Sequence, residues 1–317
     1  MNDLSVKCMH MEKIKIVFAG TGEFGVQTLN ALAGDPRFEV SCVITGLDKP
    51  VGRKLEIQEN AVKQAAILNK LFVLQSPQIS SLKQKIIQIN PDLLLVVAFG
   101  ELLPSDILEI PRLGAINIHG SLLPKYRGAS PIQESILNGD RITGITWIRM
   151  NKKMDQGDIV EQLNLNIKNT DTYEELSAKL AKLSADKTGG VLVNYVKSPT
   201  QTKQDDKLAT YCRKIKKEDG MINFQLESAD EIVRKIRAYT PWPSCYIAWG
   251  GKRLKIIKAE VSEQKIDTRK TETINGTKLL IGTKEKSLAL LTVQPESKRA
   301  MSIEEFLRGQ KNIPETL

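Results

Sequence analysis

The chain has 317 residues, a length that suits two domains, and its 41% hydrophobic and 26% charged residues are those of an ordinary globular protein rather than a disordered one. No stretch approaches the roughly 20 apolar residues of a membrane span. The opening residues, with Asp3 and Glu12, fit neither a secretory signal nor a transit peptide, and Cys8, Cys42, Cys212 and Cys245 are too scattered for a zinc site. These features point to a cytoplasmic protein with reduced thiols.

Residues 1–12 read as a flexible tail. From Lys13 to Met150 apolar strand runs alternate with helical ones: IKIVFAG then GVQTLNALAG, FEVSCVITG then NAVKQAAILNK, LFVLQ then SSLKQKIIQIN, DLLLVVAFG, GAINIHG, PIQESILNG and GITWIRM. Continuously apolar strands imply a sheet covered on both faces, so the expected class is α/β with a doubly wound, mostly parallel, Rossmann-like sheet. A long helix runs from Tyr173 to about Val196, which places an N-terminal domain over 13–197. The aperiodic polar stretch 198–208 reads as a linker. Beyond it, residues 209–317 give a helix, SADEIVRKIRAY, then short strands CYIAW, RLKIIKAEV, TKLLIGT and SLALLTV, with Gly250–Gly251 as a hairpin turn. The final helix SIEEFLRG has Ser302 as N-cap and Glu305 placed for a capping box. This C-terminal domain is expected to be a small, OB-like β-barrel.

Charge separates the two parts. Of the formal net charge of +9, residues 209–317 hold 21 Lys or Arg against 14 Asp or Glu, and residues 1–208 hold 25 against 23. A basic C-terminal third favours a polyanionic partner, nucleic acid before membrane.

The first βα turn, Gly20-Thr21-Gly22-Glu23-Phe24-Gly25, followed by Asp48, has the spacing of a dinucleotide fingerprint and taken alone suggests a nicotinamide enzyme. The same glycines also serve helix-to-strand packing. The second signal is rarer. Only two histidines occur, His10 in the tail and His119 at the end of the Ile116-Asn117-Ile118-His119 strand run. Two residues apart on a strand, Asn117 and His119 share a face. An amide beside an imidazole suits charge developing on a carbonyl oxygen; the alternative is a core histidine satisfied by backbone. Phe99–Gly100, Asn117 to Pro124 and Met154 to Asp158 all follow strands, where open α/β sheets bind ligands. Asp155 is the natural partner for His119, or else an ordinary turn aspartate.

INIHGSLLPKYRGASPIQ (116–133), followed by MDQGDI (154–159), resembles the signature of the 10-formyltetrahydrofolate-dependent formyltransferases. DKPVGR (48–53), PQISS (77–81), VVAFGELLP (96–104), AYTPWPSCY (238–246) and VQPESKRAMSIEEFLRG (293–309) are similar to the branch of that family acting on charged initiator tRNA. The resemblance implies transfer of the formyl group of 10-formyltetrahydrofolate to the α-amino group of methionyl initiator tRNA, giving N-formylmethionyl-tRNA for translation initiation. It implies Asn117, His119 and Asp155 as the catalytic trio, with His119 donating a ring N–H to the oxyanion. Phe99, Gly100, Ser121, Leu122, Leu123 and Pro124 are implied to line the folate cleft. The tRNA contacts expected are Arg53, Lys54, Arg213, Lys214, Lys298 and Arg299, with no metal, no membrane and a monomeric enzyme. Gly22 and Gly25 stand where the family more often has Pro and Ala, and the loop after Arg53, KLEIQENAVK, has two glutamates where relatives are richer in Lys and Pro. Competing readings are a dehydrogenase, a formyltransferase acting on an amino-sugar nucleotide or purine precursor, and a non-catalytic RNA-binding protein.

Overall fold

The structure is a computed structural model that describes residues 12–51 and 56–317. The tail expected at 1–12 lies outside the described residues but for Glu12, as do Cys8, His10, Arg53 and Lys54. In chain order the elements are β1 (Ile14–Gly20), α1 (Val26–Ala33), β2 (Phe38–Thr45), α2 (Ala61–Leu68), β3 (Val73–Gln75), α3 (Lys83–Ile89) and β4 (Leu93–Val97). Then come α4 (Ser105–Leu108), β5 (Ala115–His119), α5 (Pro131–Leu137), β6 (Ile142–Arg149), β7 (Asp158–Asn166) and α6 (Tyr173–Lys197). The last third holds α7 (Ala229–Tyr239), β8 (Cys245–Trp249), β9 (Lys252–Ser262), β10 (Thr271–Ile274), β11 (Lys278–Gly282), β12 (Ser287–Pro295) and α8 (Ile303–Arg308).

The chain divides into two compact units. One takes the described residues up to Arg127 with Gly144–Asn164 and Ala178–Ala209; the other takes Gly128–Thr143, Leu165–Ser177 and Thr210–Leu317. The first is built on a sheet of order β7-β6-β5-β4-β1-β2-β3. Its central strands run parallel, β1 against both β2 and β4, β2 against β3 and β4 against β5, while β6 is antiparallel to β5. The apolar runs are apolar because both faces are covered: Val17, Ala19, Leu94 and Val96 belong to one core cluster, and the intervening Ile16, Phe18, Leu93 and Leu95 are equally buried. Each of the larger of these side chains, Val, Ile, Leu or Phe, contributes about 1.5–3 kcal/mol when withdrawn from water. β7, DIVEQLNLN, lies at the sheet edge with six residues partly exposed and three exposed, and its broken apolarity hides it in the sequence.

Gly20 answers a packing need. A Cβ there would stand 2.8 Å from the Phe18 ring and 2.8 Å from the Val97 carbonyl, so the first turn closes against β4 only without a side chain. Burial pushes the Cys42 thiol up to about 12, leaving it uncharged in the core.

In the second unit an antiparallel sheet runs β8-β9-β12-β11-β10, and Met301–Ser302 pairs with β12. The β8–β9 hairpin turns at Gly250–Gly251, as the sequence indicates. α7 starts in a complete capping box, Ser228 accepting from the Glu231 N–H and Glu231 from the Ser228 N–H. At α8 Ser302 caps the Glu305 N–H at 3.1 Å, but the Glu305 carboxylate turns to Arg299, 2.5 Å away, and does not complete the box. α5 belongs to this unit: the Arg234 Nε–H on α7 donates to the Leu137 carbonyl at 2.9 Å.

Candidate active site

β5 delivers the candidate site at its carboxyl end. Asn117 pairs in register with Val96 of β4 and Ile148 of β6, and His119 with Thr146. The two side chains therefore lie on one face of the strand. Asn117 is half-buried, and among the described residues its carboxamide makes no hydrogen bond. His119 is buried, and its Nε2 lies 2.9 Å from the Tyr126 carbonyl oxygen. A carbonyl only accepts, so Nε2 carries the proton and a neutral ring presents a lone pair at Nδ1. That Nδ1 faces Asp155 Oδ1 at 3.7 Å, close enough for charge interaction and too long for a direct hydrogen bond. The structure thus brings His119 and Asp155 together beside Asn117.

The turn after β5 is pinned from several sides. Ser121 gives its hydroxyl to the Lys125 carbonyl at 2.6 Å; Thr146 on β6 donates to the Ser121 carbonyl at 2.6 Å and accepts from the Leu123 N–H at 3.1 Å. Gln162 on β7 donates to both the Leu123 carbonyl and Thr146 Oγ1, each at 2.9 Å. Tyr126 sits at φ +59, a left-handed conformation costing a bulky residue about 1–3 kcal/mol, and it is from this conformation that its carbonyl meets His119. Asp155 is also left-handed, at φ +53, as aspartate tolerates. Its loop is pressed onto β6: a Cβ on Gly157 would stand 1.9 Å from the Arg149 carbonyl. A cavity of about 370 Å³ opens beside this loop, bordered by Lys152, Lys153, Lys203, Gln204, Asp158 and Asp206.

The residues expected to line a folate cleft are unevenly available. Phe99 belongs to the core cluster, Ser121 spends its hydroxyl on its own turn, and Leu123 is buried. Gly100 is exposed at φ +79, and Leu122 and Pro124 are half-buried. Of the expected tRNA contacts, Arg213 holds Asp219 through two hydrogen bonds of 2.7 and 2.6 Å and Arg299 holds Glu305, whereas Lys214 and Lys298 are exposed. Asp48, which a nicotinamide enzyme would need for ribose, is engaged otherwise. Lys63 Nζ, 2.6 Å away, and Gln75 Nε2, 2.9 Å away, hold its carboxyl below the usual aspartate range. Lysines 152, 153 and 203 and Gln204 carry no signal in the sequence because they sit in polar loops with no periodicity. Among the described residues no cluster of His, Cys, Asp and Glu could hold a metal ion, and no helix is long and apolar enough to cross a membrane.

A mostly parallel sheet followed by an antiparallel C-terminal unit is matched in known proteins. The formyl transferase family model matches residues 12–192 and the formyl transferase C-terminal domain model matches residues 214–311, so the chain belongs to the formyl transferase family. The methionyl-tRNA formyltransferase of Methylacidiphilum infernorum (isolate V4) is 40% identical over 308 residues, covering 94% of this chain and 96% of that one. At that identity and coverage the chain falls among the methionyl-tRNA formyltransferases. In fold it is similar to the N-formyltransferase from Helicobacter canadensis solved in complex with folinic acid and dTDP-3-aminofucose, at TM-score 0.67 and 20% identity, over 89% of this chain and 99% of that one. It is similar also to the methionyl-tRNA formyltransferase from Clostridium thermocellum, at TM-score 0.56 and 22% identity, over 80% of this chain and 96% of that one.

Proposed function

We propose that the chain transfers the formyl group of 10-formyltetrahydrofolate to the α-amino group of methionyl initiator tRNA, with Asn117, His119 and Asp155 performing the chemistry. The observation that carries this reading is His119 held at Nε2 by Tyr126 and facing Asp155 at Nδ1, two residues from the uncommitted amide of Asn117.

The neutral amine attacks the formyl carbon, and the carbonyl oxygen becomes an oxyanion. Asn117 supplies N–H donors to it; one such donor is worth about 3–4 kcal/mol of barrier. His119 acts differently from the donor expected on sequence grounds. Its Nε2–H is committed to Tyr126, so the neutral ring offers a lone pair, and Nδ1 accepts the proton released by the attacking amine. Asp155 stabilises the imidazolium so formed across 3.7 Å. When the C–N10 bond breaks, the imidazolium returns its proton to N10 of the folate, and protons balance without a metal or covalent enzyme intermediate.

The folate is proposed to lie over the turn from Ser121 to Pro124 and the exposed backbone at Gly100; the similar Helicobacter canadensis N-formyltransferase was solved with folinic acid. For the tRNA, Lys214 and Lys298 give phosphate contacts directly, Arg213 and Arg299 exchange a carboxylate for a phosphate, and Arg53 and Lys54 stay proposed contacts. We assign catalysis to residues 13–197 and tRNA affinity chiefly to the basic stretch 209–317. Incubation with 10-formyltetrahydrofolate and charged initiator tRNA tests the reading: formyl-methionyl-tRNA forms if it holds. Formylation of an amino-sugar nucleotide but not of the tRNA, or NADH oxidation with a carbonyl substrate, overturns it.

A further inference from the structure

We propose that Gln204 is a positioning residue that sets the distance between the Asp155 carboxylate and His119; the proposal rests on the role given above to Asp155. Gln204 lies in the stretch 198–208, which the sequence marks as a linker. That stretch is nonetheless tied to β7: the Ile159 N–H donates to the Thr202 carbonyl at 2.7 Å and the Thr202 N–H to the Ile159 carbonyl at 2.8 Å. Two residues on, the Gln204 carboxamide bridges two loops of the site. Its Nε2 donates to the Asp155 carbonyl at 2.8 Å and the Gly157 carbonyl at 2.7 Å. Its Oε1 accepts from Arg127 Nε at 3.0 Å and from a terminal Arg127 nitrogen at 2.8 Å.

The arrangement has one orientation. Reversing the amide would set its NH2 against guanidinium donors and its oxygen against two carbonyls. Arg127 is 1% exposed, so Gln204 Oε1 meets a buried guanidinium, which also grips the exposed Asp206 at 2.7 Å. Arg127 follows Tyr126, the residue that holds His119 Nε2. One end of the bridge is therefore a residue away from the support of the imidazole, and the other is the backbone of the carboxylate residue itself. The Asp155 loop has no regular ladder to fix its left-handed carbonyl, and it is already pressed onto β6 at Gly157. Gln204 holds this loop at the carbonyls of 155 and 157, beside the Asn151 amide that donates to the Gln156 carbonyl.

The test is a double-mutant cycle in the full-length protein, with melting temperature followed throughout. Gln204→Ala is expected to lower kcat about tenfold, with KM for folate and for methionyl-tRNA within twofold of wild type, and to cost nothing further in an Asp155→Ala background. Gln204→Glu keeps an acceptor for Arg127 while losing the donor to both carbonyls, so it is expected to stay folded and show the same fall in kcat. Wild-type kcat in both Gln204 variants, or an equal loss of rate with and without Asp155, overturns the proposal. An Asp155→Ala enzyme running at the wild-type rate overturns the role of Asp155 itself, and with it this proposal.

Discussion

Thr146 donates its hydroxyl to the backbone oxygen of Ser121 at 2.6 Å and so ties β6 to the turn that carries the support of His119. The Thr146 hydroxyl oxygen in turn accepts from the Leu123 N–H and from Gln162. Thr146→Val keeps the shape and removes every one of these bonds, leaving buried backbone groups without partners at about 1–3 kcal/mol each. Urea unfolding is expected to show a loss of about 2–4 kcal/mol, and the surviving folded enzyme a lower kcat as the turn loosens.

Lys152, Lys153 and Lys203 border the cavity beside the Asp155 loop, and a polyanion bound there would be neutralised by them. Replacing Lys152, Lys153 and Lys203 by alanine is expected to weaken methionyl-tRNA binding and to lower the slope of log Kd against log salt by about one unit for each phosphate no longer neutralised. Binding titrations at several salt concentrations check this. An unchanged slope would remove these lysines from the interface.

Acid sensitivity has an identifiable source in the second unit. The Arg213 guanidinium beside Asp219 holds its carboxyl below the ordinary value of 3.8. The unfolded chain keeps that ordinary value and binds the proton first as pH falls. The pair's stabilisation is therefore fully present above about pH 4 and is lost as pH drops through the lowered folded value. Melting temperatures from pH 5 to pH 2.5 should fall more steeply for wild type than for Asp219→Asn. Because Arg213 is largely exposed, added salt should shrink the difference.

The sheet is legible in the sequence where burial is two-sided. Runs such as LLLVV in β4 and AINIH in β5 stand out because nothing charged interrupts them. β7 is not legible in the same way, being an edge strand whose partly exposed residues mix Glu, Gln and Asn among apolar ones. The pairing of His119 with Asp155 can be anticipated because a single imidazole ends an apolar strand. The commitment of Nε2 to Tyr126 cannot, since it depends on a left-handed backbone conformation that no residue type at 126 announces. Gln204 is hidden for a similar reason: its role lies in backbone carbonyls at 155 and 157, and its surroundings read as a polar connector. The dinucleotide look-alike misleads because a glycine forced by Phe18 and Val97 spells the same motif as one that makes room for a pyrophosphate.

The most direct measurement is single-turnover formyl transfer from 10-formyltetrahydrofolate to methionyl initiator tRNA by His119→Ala, with circular dichroism and melting temperature confirming the fold. If Nδ1 of His119 takes the amine's proton, the transfer rate falls by orders of magnitude while both substrates still bind. A folded His119→Ala enzyme that transfers at the wild-type rate would contradict it.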